Sequence, residues 1–147
     1  MDQQSSFYKF ISDIKKMNNI KNSGADQYMY ETLTWSRALE FYKLENAFLK
    51  TRLSQVLDSN SDKVFLAAAE HYNNRFVFMD EYIKELKQDI RLQVQMIKQH
   101  LADNHLQDKV MVALQRKLRG EMEKFEKDIN GLKYDFNKKL VNYFEIN

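Results

Sequence analysis

The sequence predicts an all-α fold: an antiparallel bundle of three long helices at about residues 27–58, 62–102 and 106–145, preceded by a short amphipathic helix at about 6–20. Three observations point there. Apolar residues recur in steps of three and four along most of the chain, the mark of a helix with one buried face. The 147 residues include no proline and only three glycines, too few for the tight turns of a many-stranded sandwich or barrel. The pattern breaks at only three short places, and connections that short join antiparallel neighbours.

The elements follow in order. Phe7, Phe10, Ile11, Ile14 and Met17 share one face of the N-terminal segment, and Asn22, Ser23, Gly24, Ala25 and Asp26 form the first break. In the first long helix Trp35, Leu39, Tyr42, Asn46, Leu49, Leu53 and Val56 are spaced 4, 3, 4, 3, 4, 3. That is a heptad seam with one polar break at Asn46. The second break runs from Leu57 to Asp62, with Asn60 or Ser61 as the expected N-cap.

The second long helix carries Phe65, Ala69, Tyr72, Phe76, Met79, Ile83, Leu86 and Ile90, then Val94, Ile97 and Leu101. The step to Val94 repeats a step of four, which reads as a stutter that locally unwinds a supercoil. Asn104 with Gln107 resembles a capping box at the third break. Leu106, Val110, Leu114, Leu118, Met122, Phe125, Ile129, Leu132, Phe136 and Leu140 then follow mostly in steps of four. Such a stripe drifts around the helix.

Composition bounds the function. Residues 1–147 read as a single helical-bundle domain, with 1–24 free to move as an N-terminal segment. The net charge is +2, with 30% charged residues of both signs interspersed, unlike a dedicated nucleic-acid binder. With no cysteine, disulfides, thiolate metal sites and thiol catalysis are excluded. No apolar run approaches the roughly eighteen residues of a membrane span, and Met1 to Ser6 holds no basic lead into an apolar core. The expectation is a cytoplasmic protein with no membrane partner.

Chemical constellations are sparse. The three histidines are His71, His100 and His105, preceded three positions earlier by Ala68, Ile97 and Ala102. The Glu-x-x-His pairs of di-metal bundles are therefore missing, and no metal or cofactor is expected. His71 lies among small residues, Ala67, Ala68 and Ala69, as in a phosphotransfer or sensor bundle with an exposed imidazole nucleophile. The lysine and glycine typical after such a histidine are replaced here by Asn73, Asn74 and Arg75. Gly-x-Ser-x-Gly elbows and phosphate-cradling glycine loops do not occur. The chain is not expected to be an enzyme.

Two surfaces remain. The hairpin tip carries Met96, Ile97, Leu101, Val110, Met111 and Leu114, and a first helix starting near Asp26 looks too short to cover it. Apolar surface of that kind is seldom left in water. Phe7, Phe10 and Ile14 of the N-terminal helix, or a second copy about a two-fold axis, would close it. Opposite the seam of the last helix, Lys109, Arg116, Gly120, Lys127, Gly131 and Lys138 form a basic ridge separated by small residues. It suits an acidic helix or a polyanion. Of nineteen aromatic residues, Tyr28, Tyr30, Phe41, Phe48, Phe78, Tyr82 and Tyr134 lie off the strict seams. The functional expectation is a non-enzymatic helical interaction or scaffolding module forming a homodimer. A signalling bundle using His71, or polyanion binding through the ridge, is the alternative.

Overall fold

The computed structural model describes Lys9 and residues 23–59, 62–103 and 108–146. Those residues hold three α-helices and no strand: α1 Ser23–Asp58, α2 Lys63–Asp103 and α3 Asp108–Ile146. The expected helix at 6–20, Asn60, Ser61, Asn104 and Gln107 lie outside the described residues, apart from Lys9, which is helical and exposed.

The start of α1 differs from expectation. α1 begins at Ser23, not near residue 27, because the presumed break continues the helix: Gly24 is helical, Ala25 turns inward, and Asp26 puts a carboxylate in the positive first turn. At the start of α2, one residue before Lys63, the described cap is Asp62. Its Oδ1 accepts the Val64 N–H at 3.1 Å and its carbonyl accepts the Leu66 N–H at 2.8 Å.

The buried faces are more regular than the apolar residues alone suggest. On α2 the inward row is Phe65, Ala69, Tyr72, Phe76, Met79, Ile83, Leu86, Ile90, Gln93, Ile97 and His100. Steps of four and three alternate throughout, so the expected stutter is absent. Gln93 and His100 hold the inward positions, while their apolar neighbours Val94 and Leu101 are half-buried. On α3 the row runs Met111, Gln115, Leu118, Met122, Phe125, Ile129, Leu132 and Phe136, alternating likewise, and a second step of four occurs only at Leu140. The expected drift is confined to that end.

The chain divides into two compact units, each built from a stretch of all three helices. One comprises Met1–Arg37 with Lys87–Gly120, the other Ala38–Leu86 with Glu121–Asn147. The second has an aromatic core. Phe76 meets Phe136 edge-on at 5.0 Å, and Tyr72 meets Phe136 at 5.3 Å. Tyr42 and Tyr82 each stand edge-to-face on Phe125, at 5.6 and 5.2 Å. Asn46, fully buried in its seam, donates to the Phe76 carbonyl at 2.8 Å and to Asp80 Oδ1 at 2.7 Å, and Lys50 pairs with the other oxygen of Asp80. That bond to a carbonyl explains how an amide sits at an apolar position.

Phe76 and Phe125 are wholly shielded, whereas Phe78 stands out in solvent. Phe76→Ala or Phe125→Ala should each cost about 3–5 kcal/mol, and Phe78→Ala less than about 0.5 kcal/mol. Urea midpoints measure both; a Phe78 variant as damaging as Phe76→Ala would show the core is wrongly placed.

Candidate functional site

The first unit is organised around a buried polar layer with one residue from each helix: Thr32 of α1, Gln93 of α2 and Gln115 of α3. Each occupies an inward seam position, and each is almost completely shielded. Gln115 Oε1 accepts the Thr32 hydroxyl at 3.1 Å and Gln93 Nε2 at 2.8 Å. Its Nε2 donates to the Tyr28 carbonyl at 3.3 Å and to Glu31 Oε1 at 2.8 Å. Gln93 Nε2 also donates to the Met111 carbonyl at 2.8 Å, while its Oε1 is buried without a partner.

The layer reaches the surface through Glu31. Arg119 clasps that carboxylate with both faces of its fork, Nη2 to Oε1 at 2.7 Å and Nε to Oε2 at 3.1 Å. Arg119 first, and the Gln115 amide after it, hold the Glu31 carboxyl below its ordinary value of 4.5, against burial that pushes it up. An open cleft of about 470 Å³ beside this pair is lined by Asp26, Gln27, Tyr28, Tyr30, Glu31 and Arg119.

Next to the layer lies the tip expected to form an interface. Ile97 and Met111 are buried there against Ala25 and Met29, with Met96, Leu101, Val94, Tyr28 and Leu33 packed around them. The extra turn of α1 thus brings Ala25 and Met29 against the inner side of the tip, and α1, at 36 residues against 41 and 39, falls short by less than expected. Leu114 is half-buried, while Val110 is 52% exposed because Met111 takes the inward position. Phe7, Phe10 and Ile14 lie outside the described residues.

The ridge residues Lys109, Arg116 and Gly120 in the first unit, and Lys127, Gly131 and Lys138 in the second, are all exposed. A Cβ added to Gly120 or Gly131 would meet nothing within 4 Å. Close packing among the described residues therefore does not require either glycine. Lys138 lies 6.0 Å from the centroid of the exposed Tyr134 ring.

His71 is exposed and stands edge-on to Tyr72, in an open cleft of about 420 Å³ with Asn74, Arg75, Phe78, Met79 and Asp128. Among the described residues no three of His, Asp and Glu come together to hold a metal ion. No described helix is long and apolar enough to cross a membrane.

The feature that sequence periodicity passed over is on the outer side of α1. Phe41, Leu44 and Phe48 follow one another at i, i+3 and i+7, and they are 57%, 70% and 63% exposed. They share one helix face. Of the other off-seam aromatics, Tyr28 and Tyr82 are half-buried, while Tyr30, Phe78 and Tyr134 stand in solvent. No protein-family model, curated protein or solved structure matches the chain.

Glu31 gives the layer a pH dependence whose sign is fixed. Its carboxyl titrates below 4.5 when folded, so its contribution is complete above that value and is lost as pH falls through the lowered one. Melting temperatures of the natural chain and Glu31→Gln should differ most at neutral pH and converge as pH falls through the lowered Glu31 value. A gap that stays constant into acid would place the ion pair outside the stabilising network.

Proposed function

We propose that the chain is a non-enzymatic helical interaction module that self-associates and scaffolds. In this reading the three helix stretches of each unit run as an antiparallel, up-down-up bundle. Partner order supports that direction. In the second unit, α2 residues 72, 76 and 82 meet α3 residues 136, 136 and 125. Numbers rise on one helix as they fall on the other. Glu45 of α1 pairs with Lys133 of α3 at 2.6 Å and Tyr42 with Phe125, so those two helices rise together.

The observation that carries the function is the row Phe41, Leu44 and Phe48. Three large apolar side chains on one line of a helix, more than half exposed each, form a contiguous patch of the kind that marks an interface. Its 3, 4 spacing matches what a second helix meets in knobs-into-holes packing. The inward seams of the described helices are already filled by the chain's own side chains. Association through the outer row leaves the bundle itself unchanged.

The triple variant Phe41→Ser, Leu44→Ser, Phe48→Ser tests this. The intact chain should sediment heavier than the variant at equal micromolar concentration, with the same helical circular dichroism. Identical sedimentation of the two would overturn the role of the row.

A further inference from the structure

In the unit of residues 1–37 and 87–120, the stretch Ser23–Arg37 of α1 combines a polar network with a small apolar contact. Its fully buried apolar side chains are Ala25 and Met29, with Tyr28 and Leu33 half-buried against the same cluster, and Thr32 fills the next inward position. By contrast, the stretch of α1 in the other unit buries Leu39, Leu49, Leu53 and Val56. The hydrophobic stabilisation of a helix scales with the apolar area it removes from water, so Ser23–Arg37 is the weakly anchored part of α1. It also begins with Gly24, a poor helix former. Its inward row makes two successive steps of three, Met29 to Thr32 to the half-buried Trp35, which locally overwinds the packing.

The seat beneath this stretch is chemically particular. Three of the four hydrogen bonds of the Gln115 amide come from α1: the Tyr28 carbonyl, Glu31 and Thr32. Arg119 then takes the same Glu31 carboxylate. A helix fits only if it offers a carboxylate and a hydroxyl side by side, with apolar residues one turn earlier. Glu31 followed by Thr32 is the only acidic residue before a threonine in the sequence. When the stretch lifts, water satisfies Gln93 and Gln115, so opening costs less than it would over a purely apolar seam.

We propose that Ser23–Arg37 is an exchangeable arm, which leaves its own seat and occupies the equivalent seat on a second copy of the chain. The occupant is the second copy because the seat is complementary to this segment in charge and hydrogen bonding, and only another copy brings the same segment. Exchange of an identical element is a low-cost route to a dimer. The inference deepens the self-association proposed above but uses a different surface, so the two fail separately.

The sequence contains no cysteine, which permits a clean cross-linking test. Chains carrying Glu31→Cys alone and Arg119→Cys alone are mixed, incubated and treated with a short bis-maleimide linker. Residue 31 of one chain should join residue 119 of another, at least about tenfold above a control mixture of Glu31→Cys with Lys139→Cys. The link should persist when Phe41, Leu44 and Phe48 are serine, which separates exchange from association through the outer row. The double variant in one chain should link internally and shows that the linker reaches. Cross-chain yield no higher than control, with that internal link formed, would overturn the arm; so would failure of the internal link.

Because the substitutions remove the ion pair, hydrogen exchange on the unsubstituted chain provides a second test. Amides of residues 25–36 should exchange at least about tenfold faster than those of residues 39–56. Equal protection of the two stretches would contradict the weak anchoring on which exchange depends.

Discussion

The amide of Gln115, almost completely shielded, makes four hydrogen bonds that tie α3 to both neighbouring helices. Three of those bonds reach α1 and one reaches α2, so a single side chain of α3 reads the position of both neighbours. Sliding α1 by one helical turn, about 5.4 Å, would carry Glu31 and Thr32 away and take those partners from the buried Gln115 amide. Unpaired buried polar groups of this kind cost about 1–3 kcal/mol each, comparable with losing a buried aliphatic side chain. Apolar seams alone tolerate such a slip, since one leucine resembles another a heptad away. The polar layer fixes the register of this unit in a way its apolar contacts, built on Ala25, Met29, Ile97 and Met111, do not.

The second unit uses the same device differently. Asn46 sits in the α1 seam, bonds the Phe76 carbonyl, and shares Asp80 with Lys50. Its surroundings are aromatic and leucine-rich, so the amide adds specificity to a core already held by burial. In the first unit α1 buries fewer apolar side chains, Ala25 and Met29 with Tyr28 and Leu33 half-buried beside them, and the polar bonds add specificity to that smaller contact. That difference is why the arm at Ser23–Arg37 and the patch at Phe41, Leu44 and Phe48 play separate parts in the proposed self-association. One depends on opening a seat, the other on a face that is already open.

Helix positions and most inward residues were legible in the sequence because periodicity of apolar residues reports burial directly. Asn46 was recognised as a polar break since apolar residues flank it in step on both sides. Gln93, His100 and Gln115 were not, for a specific reason. Each has an apolar neighbour, at Val94, Leu101 and Leu114, that continues an apolar-only pattern with one altered step. Following hydrophobicity there created a stutter in α2 and a drift in α3 that the backbone does not have. A strict heptad count carried past Ile90 would have found Gln93. The start of α1 was misplaced because Ser23 and Gly24 read as turn residues; their helical state depends on Ala25 and Met29 finding Ile97 and Met111 across the unit. The outer row was visible only as aromatics off the seam, since sequence pattern does not say whether a flanking ring packs sideways or stands in water.

A double-mutant cycle on Gln93→Leu and Gln115→Leu, completed by the triple variant with Thr32→Val, tests the central role of the polar layer most directly. Each single substitution strands a buried partner, so both should destabilise the chain by about 1–3 kcal/mol. The triple variant removes the three polar side chains of the layer together, leaves Glu31 paired with Arg119, and should recover most of that loss, giving strong coupling among the three positions. Losses that simply add, within about 0.5 kcal/mol, would contradict the account.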